Sequence, residues 1–497
     1  MLGTGMITSV NLTKNDIQMV LDQKAVYCFG GGKHFRKFLD AFPDVKILGV
    51  VDNFARTPFI CVEEKDYPVL PLDEFAAACR NDTVLVLTSI YVDEMLEQIA
   101  AKKELQRLSI AVAPSVIEAI GPPSVEEIIR RAENASVQEK EVPENRNRVL
   151  IWEESSFQHI AGSKALIDIR DILSTMGYDL ASVHTTSGAP GGEKDWSFRR
   201  SAEDWKRVYQ AVRRGAVLVL QHPYRAPDPE RERVLRALKE EKGVRFIAVV
   251  HDAEKVRDYC MTPYMEHEFS FMLETADIFI VHNEVMRDYF LRQRIPAESL
   301  ITLGLFDYLC KEWKENHEEY EPGKVVYAGS MMQDKSPFLA KLKEVPRVEY
   351  HLYGPYYEEK LISGDNIIYH GSVPPDELPG KLMRGFGLVW DGDSIDTCSG
   401  KTGEYLRFNN PHKLSLYLAA GLPVIIWKYA EKAEFVKNHH CGVLVESLYE
   451  LPNLLRGISE GDYREYSDNA LEISKQLRNG VYTKTAIEEA ERRLGVR

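Results

Sequence analysis

The stretch Phe386–Trp427, FGLVWDGDSIDTCSGKTGEYLRFNNPHKLSLYLAAGLPVIIW, organises the whole chain. It starts with an apolar run, Gly387–Trp390, that ends in acidic residues and glycine. After a polar loop, Asn409–Lys413 opens a predicted helix, and Gly421–Pro423 closes it before a second apolar run. The pattern predicts a strand–loop–helix–strand unit. Because ligands of open α/β sheets bind beyond the carboxyl ends of the strands, we expect a charged ligand at its loops.

The bulk composition indicates a globular protein of several domains. With 497 residues, the chain is long enough for about three domains. Hydrophobic residues make up 44% and charged residues 28%, which is typical of soluble proteins. The formal net charge of -14 argues against a nucleic-acid partner, because such binding requires Lys and Arg to neutralise phosphates.

The cysteines and the N-terminus bear on the cellular compartment. The seven cysteines are scattered without Cys-x-x-Cys spacing, which indicates reduced thiols and no zinc site. The N-terminus lacks a basic segment followed by an apolar run. No stretch approaches the roughly 20 apolar residues of a spanning helix. We expect a cytoplasmic protein that associates with membranes peripherally if at all.

Residues 1–118 predict a small Rossmann-like domain. Gly30, Gly31 and Gly32 follow a predicted strand, and a second predicted strand ends at Asp52. The fingerprint is incomplete because Phe35 occupies the position of the third glycine. Two interpretations remain open: a nucleotide site formed by these glycines and Asp52, or a degenerate domain that serves as a scaffold or an oligomer interface. Residues 119–147 predict a helix and a charged linker.

Two further α/β regions follow, at 148–312 and 313–497. Several apolar strands of the first end in polar pairs, including His251-Asp252, and a Gly/Ser/Thr loop covers 184–197. The second has apolar strands with helices predicted between them, among them 376–384 and 412–420, and ends in amphipathic helix broken at Asn479–Gly480. This is the doubly wound pattern, in which the polar strand ends form the functional edge. Two such regions in tandem favour the GT-B arrangement of glycosyltransferases.

Several stretches carry a resemblance to one family. RFIAVVHDAEKVR (245–257), DIFIVHNEV (277–285), LGLFDY (303–308), LVWDGDSIDTCS (388–399) and NNPHKLSLYLAAGLPVIIW (409–427) are similar to bacterial galactofuranosyltransferases and glucosyltransferase-3 type enzymes. The resemblance covers about residues 148–490. It implies a GT-B glycosyltransferase with a UDP-sugar donor held by the C-terminal domain, and an added N-terminal domain.

A donor site follows from helix physics together with the resemblance. A helix N-terminus attracts phosphate, Asn410 would cap it, Pro411 suits its first turn, and Lys413 adds positive charge. The resemblance implies that Asn410, His412, Lys413 and Ser415 contact the diphosphate. It also implies a role for Lys335, expected at a helix start, although a solvated lysine is the alternative. The remaining candidates, which would border the uracil or only pack, are Tyr353 and Tyr356.

Two features bear on the reaction itself. Asp391-Gly392-Asp393 resembles a metal-binding Asp-x-Asp pair, but GT-B enzymes usually use cations and helix dipoles, so we favour sugar or structural roles for Asp391 and Asp393. The paired glutamates of retaining enzymes are absent, because the position eight residues after Glu404 is His412. This favours inversion with a general base, for which His251 and Asp252 are candidates. The alternative is a helix cap beside a packed histidine.

The leading hypothesis is therefore a metal-independent, inverting hexosyltransferase that uses UDP-galactofuranose or UDP-glucose and no cofactor. Its expected acceptor is a cell-surface glycan, a lipid-linked glycan or a glycopeptide, approached by the glycine-rich loop at 188–192. A homo-oligomer is expected. The alternatives are an NAD-dependent oxidoreductase or epimerase built on residues 20–118, and a non-catalytic protein that binds sugar nucleotides.

Overall fold

The structure, a computed structural model, describes residues 21–120 and 146–496 except for 22–23, 54, 56, 64, 81–82, 101, 106–107, 155–163, 186–191, 259–260, 311–312 and 314–319. It divides into two compact units, the first made of residues 1–143 and 187–199 and the second of residues 144–186 and 200–497. Most of the predicted linker and most of the glycine-rich loop at 188–192 lie outside the described residues. Gly192 begins a helix.

The first unit contains a six-stranded sheet in the order β3-β4-β2-β1-β5-β6. All neighbouring strands are parallel except β3 and β4, which form an antiparallel hairpin that the sequence analysis missed. Phe35, Phe38 and Phe75 fill the core between helices and sheet, which confirms the Rossmann-like prediction. The elements are β1 (Ala25–Phe29), α1 (Lys33–Ala41), β2 (Ile47–Val51), β3 (Phe59–Val62), β4 (Lys65–Leu70), α2 (Leu72–Ala78), β5 (Thr83–Leu87), α3 (Val92–Ala100), β6 (Ser109–Val112) and α4 (Pro114–Ile120).

The second unit begins with a parallel sheet in the order β12-β11-β10-β9-β7-β8. Its strands are almost continuously apolar because helices cover both faces. We call this part the acceptor-side domain, after the role that the family resemblance implies for it. Its elements are β7 (Arg146–Glu154), α5 (Lys164–Thr175), β8 (Asp179–His184), α6 (Gly192–Ala211, in this unit from Arg200), β9 (Val212–His222), α7 (Pro229–Lys242), β10 (Arg245–Val250), α8 (Glu254–Arg257), α9 (Pro263–Thr275), β11 (Ile278–Val281), α10 (Glu284–Arg292) and β12 (Leu300–Thr302).

A second parallel sheet of the same unit has the order β15-β14-β13-β16-β17-β18. We call this part the donor-side domain, again after the role that the family resemblance implies. Its elements are β13 (Lys324–Ala328), a 3-10 helix (Pro337–Glu344), β14 (Glu349–Tyr353), β15 (Ile367–Tyr369), β16 (Phe386–Val389), α11 (Gly400–Glu404), a 3-10 turn (Tyr405–Arg407), α12 (His412–Ala419), β17 (Val424–Trp427), α13 (Ala433–Asn438), β18 (Gly442–Val445), α14 (Leu451–Gly457), α15 (Glu460–Arg478) and α16 (Val481–Leu494). Two tandem doubly wound domains confirm the predicted fold class.

The two final helices connect the domains of this unit. The break predicted at Asn479–Gly480 is confirmed: Gly480 takes a left-handed conformation (φ 69°) between α15 and α16. Beyond it, Ile487 and Ala490 of α16 pack in the core of the acceptor-side domain with Ile280. The last helix of the chain therefore packs against the first of the two sheets.

One predicted helix is wrong. Residues 376–384 contain only a short 3-10 turn, Leu378–Gly380. Pro379 and Gly380 both disfavour a helix interior, which accounts for the difference. Among the described residues, we find no helix with the length and apolar character that a membrane span requires.

Candidate functional site

The start of α12 lies at the carboxyl edge of the donor-side sheet, where Lys413 meets the end of β16. The Lys413 Nζ atom lies 2.6 Å from Asp391 Oδ1 and 3.2 Å from the Trp390 carbonyl oxygen. It also lies 4.8 Å from the centre of the Tyr327 ring. Burial alone would lower the pKa of Lys413, but the Asp391 carboxylate and Tyr327 outweigh it and raise that pKa. Lys413 is therefore a fixed cation whose present counter-ion is Asp391.

Lys335 lies in the turn after β13, two residues before the 3-10 helix Pro337–Glu344, so the predicted helix start is wrong. Within the part of the chain that the structure describes, its ammonium pairs with no carboxylate. Burial lowers the pKa of Lys335, and the charges of Lys413 and Arg257 lower it further, against the effects of Asp391 and Asp252. A partly buried ammonium with this environment lacks a strong anionic partner. It is suited to bind a ligand anion.

Two glycines allow the loops after β13 and β14 to meet beside Lys413. Gly354 has φ 139°, and a Cβ atom there would overlap the Gly329 carbonyl oxygen. The Gly329 N–H donates to the Tyr353 carbonyl oxygen at 3.0 Å. A Cβ at Gly329 would lie 3.0 Å from Lys413 Cε. Because both positions are glycines, the two loops approach each other closely and still leave room for the Lys413 side chain at the sheet edge.

The two tyrosines proposed to border the uracil differ in their surroundings. Tyr353 is buried, and its ring stacks on His370 with 4.5 Å between centres. Tyr356 is 58% exposed and adopts φ 66°, which is unusual for a bulky residue. Of the two, only Tyr356 presents a ring that could stack on a bound base.

Asn410 does not cap α12, so that prediction is wrong. The helix begins at His412 with Pro411 at the cap position and no side-chain capping bond. Instead, the Asn410 Nδ2 atom donates to the carbonyl oxygens of His282 (2.7 Å) and Gly304 (3.0 Å), and Oδ1 accepts from Asn283 Nδ2 (2.9 Å). The Asn410 backbone N–H donates to His282 Nδ1 at 3.0 Å. These bonds join the donor-side helix to the acceptor-side strand ends, and they occupy the amide.

His412 and Ser415, the two other residues predicted to contact the diphosphate, lie at the start of α12, where His412 is half-buried and Ser415 is buried. The His412 ring lies 5.1 Å from that of Tyr308 and 6.0 Å from that of Phe306. Burial lowers the pKa of His412 to about 3, so the ring is neutral near pH 7. Its Nε2 atom is buried without a hydrogen-bond partner among the described residues. Ser415 is buried in the following turn.

The two aspartates of the Asp-x-Asp pair have different partners. Asp391 pairs with Lys413, whereas the Asp393 carboxylate lies against Gly400 at the start of α11. In the described part of the chain, no group of three His, Cys, Asp or Glu residues is arranged to hold a metal ion. Asp391 is thus the counter-ion of Lys413 in this structure, and the predicted sugar-side role of the two aspartates stays a prediction.

The candidate base residues follow β10 in the acceptor-side domain. His251 Nε2 lies 2.9 Å from Gln221 Oε1, and its ring stacks on Phe306 at 5.6 Å. Burial lowers the pKa of His251 well below 6.5, and the nearby His282 and His412 act in the same direction. Asp252 does not orient this imidazole. Its Oδ2 atom instead accepts from Arg225 (3.1 Å) and Arg257 (2.9 Å).

Sequence reasoning missed the polar residues around this strand end. Gln221 orients His251, and Arg225, Glu254 and Arg257 surround Asp252. The two arginines lie three and seven residues beyond their strand ends. The signal available in the sequence was that each arginine follows the end of a strand, and the two strands are parallel neighbours.

The N-terminal candidates lie at one edge of the other unit. Gly30, Gly31 and Gly32 connect β1 to α1, and Asp52 follows β2. A Cβ at Gly31 would overlap the Ile60 side chain, so the β3–β4 hairpin already covers the face of that glycine. Phe35, which replaces the third glycine, is fully buried in the core. Gly31 and Phe35 are therefore closely packed by the protein's own side chains, whereas a Cβ at Gly32 would meet open space.

Two parallel-sheet domains follow one another in one unit, with Lys335 and Lys413 at the edge of one sheet and a polar strand-end cluster at the edge of the other. This is the arrangement of the GT-B class of glycosyltransferases. Comparison with known families agrees. The N-terminal and C-terminal domain models of glucosyltransferase 3-like proteins match residues 149–305 and 325–490. The chain belongs to the glucosyltransferase 3-like family, as the sequence resemblance predicted.

Named relatives and solved structures extend this comparison. The chain is 34% identical over 249 residues to the β-1,6-galactofuranosyltransferase WbbI of Escherichia coli K12, covering 49% of this chain and 71% of the relative. It is 26% identical over 247 residues to glucosyltransferase 3 of Streptococcus gordonii, covering 50% and 70%. Sucrose-phosphate synthase from Thermosynechococcus elongatus has a TM-score of 0.48 at 13% identity, covering 71% of this chain and all of that one. Anabaena HepE with UDP and glucose has a TM-score of 0.43 at 12% identity, covering 70% and 99%.

Proposed function

We propose that this protein transfers a hexosyl group, galactofuranose or glucose, from a UDP-sugar to a hydroxyl group of a glycan, lipid-linked glycan or glycopeptide. The observation that carries the proposal is Lys335, a partly buried ammonium with no carboxylate partner among the described residues, beside the Lys413–Asp391 pair. Both lysines lie at the carboxyl edge of the donor-side sheet, where α/β proteins bind ligands. The relatives' names support the two donor sugars.

The chemistry requires three contributions, and this chain offers a residue for each. Negative charge grows on the departing diphosphate, and Lys335 and Lys413 would stabilise it together with the N-terminus of α12. When the diphosphate pairs with Lys413, the Asp391 carboxylate would leave that lysine and accept a hydrogen bond from a sugar hydroxyl. His251, neutral because of burial, would accept the proton of the attacking hydroxyl. Direct attack from the acceptor side inverts the anomeric centre.

A donor panel tests this function. We expect purified protein to release UDP from UDP-galactofuranose or UDP-glucose in the presence of an acceptor glycan, and at the same rate with EDTA. The released sugar should appear on the acceptor by mass spectrometry, with the opposite anomeric configuration by NMR. A protein that binds UDP yet turns over neither donor with any acceptor tested contradicts the enzymatic proposal.

The two alternative functions have weaker support. An NAD site on the first unit would need the face of Gly31 that Ile60 covers, and it would need a small residue where Phe35 stands. Calorimetry with NAD and UDP separates these functions, since we expect heat from UDP alone. A non-catalytic sugar-nucleotide binder would give the same heat, and the transfer assay distinguishes it. A cytoplasmic location, peripheral membrane association and a homo-oligomer remain predictions.

The proposed base gives a pH prediction. Because the pKa of His251 is well below 6.5, we expect kcat/KM to stay constant as the pH falls from 8 to 6.5 and to decline only at lower pH, where the imidazole becomes protonated. His251→Gln should lower kcat about 100-fold or more and remove this acid limb. The matched control is His267→Gln, an exposed histidine paired with Glu232. An unchanged pH profile in the His251 variant would exclude it as the base.

A further inference from the structure

The short helix α8 of the acceptor-side domain is attached to the donor-side segment 400–405. The Ala253 N–H, just before α8, donates to the Tyr405 hydroxyl at 2.9 Å. Just after α8, the Asp258 carboxylate lies 2.7 Å from Lys401 Nζ. Both ends of the helix therefore contact the same segment of the opposite domain, so the direction of its side chains is fixed relative to the donor edge.

The same segment also supports the donor site. The Thr402 hydroxyl donates to the Lys335 carbonyl oxygen at 3.1 Å. Gly403 lies close to the end of β16, where an added Cβ would be 3.0 Å from the Asp391 carbonyl oxygen. Segment 400–405 thus contacts α8 on the acceptor side and the Lys335 and Asp391 loops on the donor side. The helix α8 and the loops of the proposed diphosphate site therefore share this segment as a common neighbour.

Arg257, the last residue of α8, is held in place by two carboxylates. Its Nη1 atom donates to Asp252 at 2.9 Å and to Glu254 at 3.3 Å, and its guanidinium lies 5.8 Å from the Tyr405 ring centre. Arg225 binds the same two carboxylates, each at 3.1 Å. The two arginines differ in exposure: the side chain of Arg225 is 52% exposed, and that of Arg257 only 16%. Arg257 is the inner member of the pair.

The electrostatics agree with this placement. Burial has the largest effect in lowering the pKa of Lys335, and the charges of Lys413 and Arg257 lower it further. The Lys335 ammonium is thus repelled by two other cations, and an anion that binds beside it relieves this repulsion. A guanidinium has five N–H donors in a planar fork that matches phosphate oxygens, and carboxylates that hold one nitrogen orient the others.

We propose that Arg257 contacts the donor diphosphate together with Lys335 and Lys413, so that residues of both domains bind the same phosphates. This inference rests on the proposed UDP-sugar function. The departing UDP would then be bound at full strength only while the acceptor-side domain is in contact with the donor-side domain. Donor binding and correct placement of the acceptor site are thereby linked.

Calorimetry with UDP, supported by ligand-observed NMR for uridine, tests the proposal on the full-length protein. We expect Arg257→Gln to weaken UDP about 10- to 100-fold, the loss of a hydrogen bond to a charged group, and to change uridine affinity less than about twofold. Arg225→Gln is the matched control, because it removes a guanidinium from the same two carboxylates. We expect it to leave both affinities within about twofold of the wild type. If Arg257→Gln fails to fold, Arg257→Lys, which keeps the charge but loses the fork, should show the same selective loss for UDP.

Other results would overturn the inference. Equal losses of UDP in the Arg225 and Arg257 variants would mean that the arginines only neutralise Asp252 and Glu254. Parallel losses of UDP and uridine in Arg257→Gln would indicate a general disturbance of the site. If the wild type binds UDP and Arg257→Gln binds it equally well, this inference fails while the proposed function stands. If the wild type binds no UDP, both fail.

Discussion

Lys413→Ala is expected to abolish measurable UDP binding, with a loss of at least about 100-fold in affinity. The substitution removes a cation at the N-terminus of α12, where a charge-assisted hydrogen bond to phosphate is worth about 1.5–3 kcal/mol. It also leaves the Asp391 carboxylate, only 15% exposed, without its partner 2.6 Å away. That carboxylate would then repel the diphosphate. Titration calorimetry with UDP measures the loss, and uridine affinity should change little.

Two variants make the Lys413 result interpretable. Lys341→Ala removes another lysine of the same domain, whose Nζ atom donates to the Asp393 carbonyl oxygen, and should leave UDP affinity unchanged. Asp391→Asn removes the competing charge while keeping Lys413, so UDP affinity should be retained or increased. A Lys413→Ala protein that binds UDP like the wild type would show that α12 does not hold the diphosphate.

Asn410→Ala is expected to destabilise the second unit strongly, by about 3–5 kcal/mol. The side chain is 4% exposed and makes three hydrogen bonds, to His282, Gly304 and Asn283. Each buried group left without a partner costs about 1–3 kcal/mol. Differential scanning calorimetry should show a shift of several degrees in the transition of this unit. The fall in transition temperature is the quantity to compare, because unfolding of a chain this size is not expected to be two-state.

The adjacent residue provides the control. Asn409 has a buried Oδ1 atom with no hydrogen-bond partner among the described residues, so Asn409→Ala should have a much smaller effect on stability. The two variants differ by one position and by the presence of the three bonds. If Asn410→Ala instead kept the wild-type melting temperature and lost UDP affinity, the residue would bind donor, as the family resemblance implied, and would not join the domains.

The amino-acid sequence by itself determined the architecture and singled out Lys413 as the main candidate cation. Apolar runs that end in polar residues, separated by helical patterns, are local signals, and they predicted three Rossmann-like sheets. The run around Lys413 carried the family resemblance that the domain matches at 149–305 and 325–490 confirm. The short hairpin β3–β4 was missed because its two strands are four and six residues long, and of their residues only Tyr67 is buried.

Only the tertiary structure decided which of these residues act together. Asn410 looked like a helix cap because its type and position satisfy a local rule, but its partners follow the ends of β11 and β12, more than a hundred residues earlier. Asp252 was paired with His251 by adjacency in sequence, whereas successive residues at a strand end point to opposite faces and meet different neighbours. Arg257 lies at the end of a stretch that carries the family resemblance, but no local signal gave it a role. Its proposed role rests on the contact between α8 and segment 400–405. No local sequence pattern predicts such contacts between distant parts of the chain.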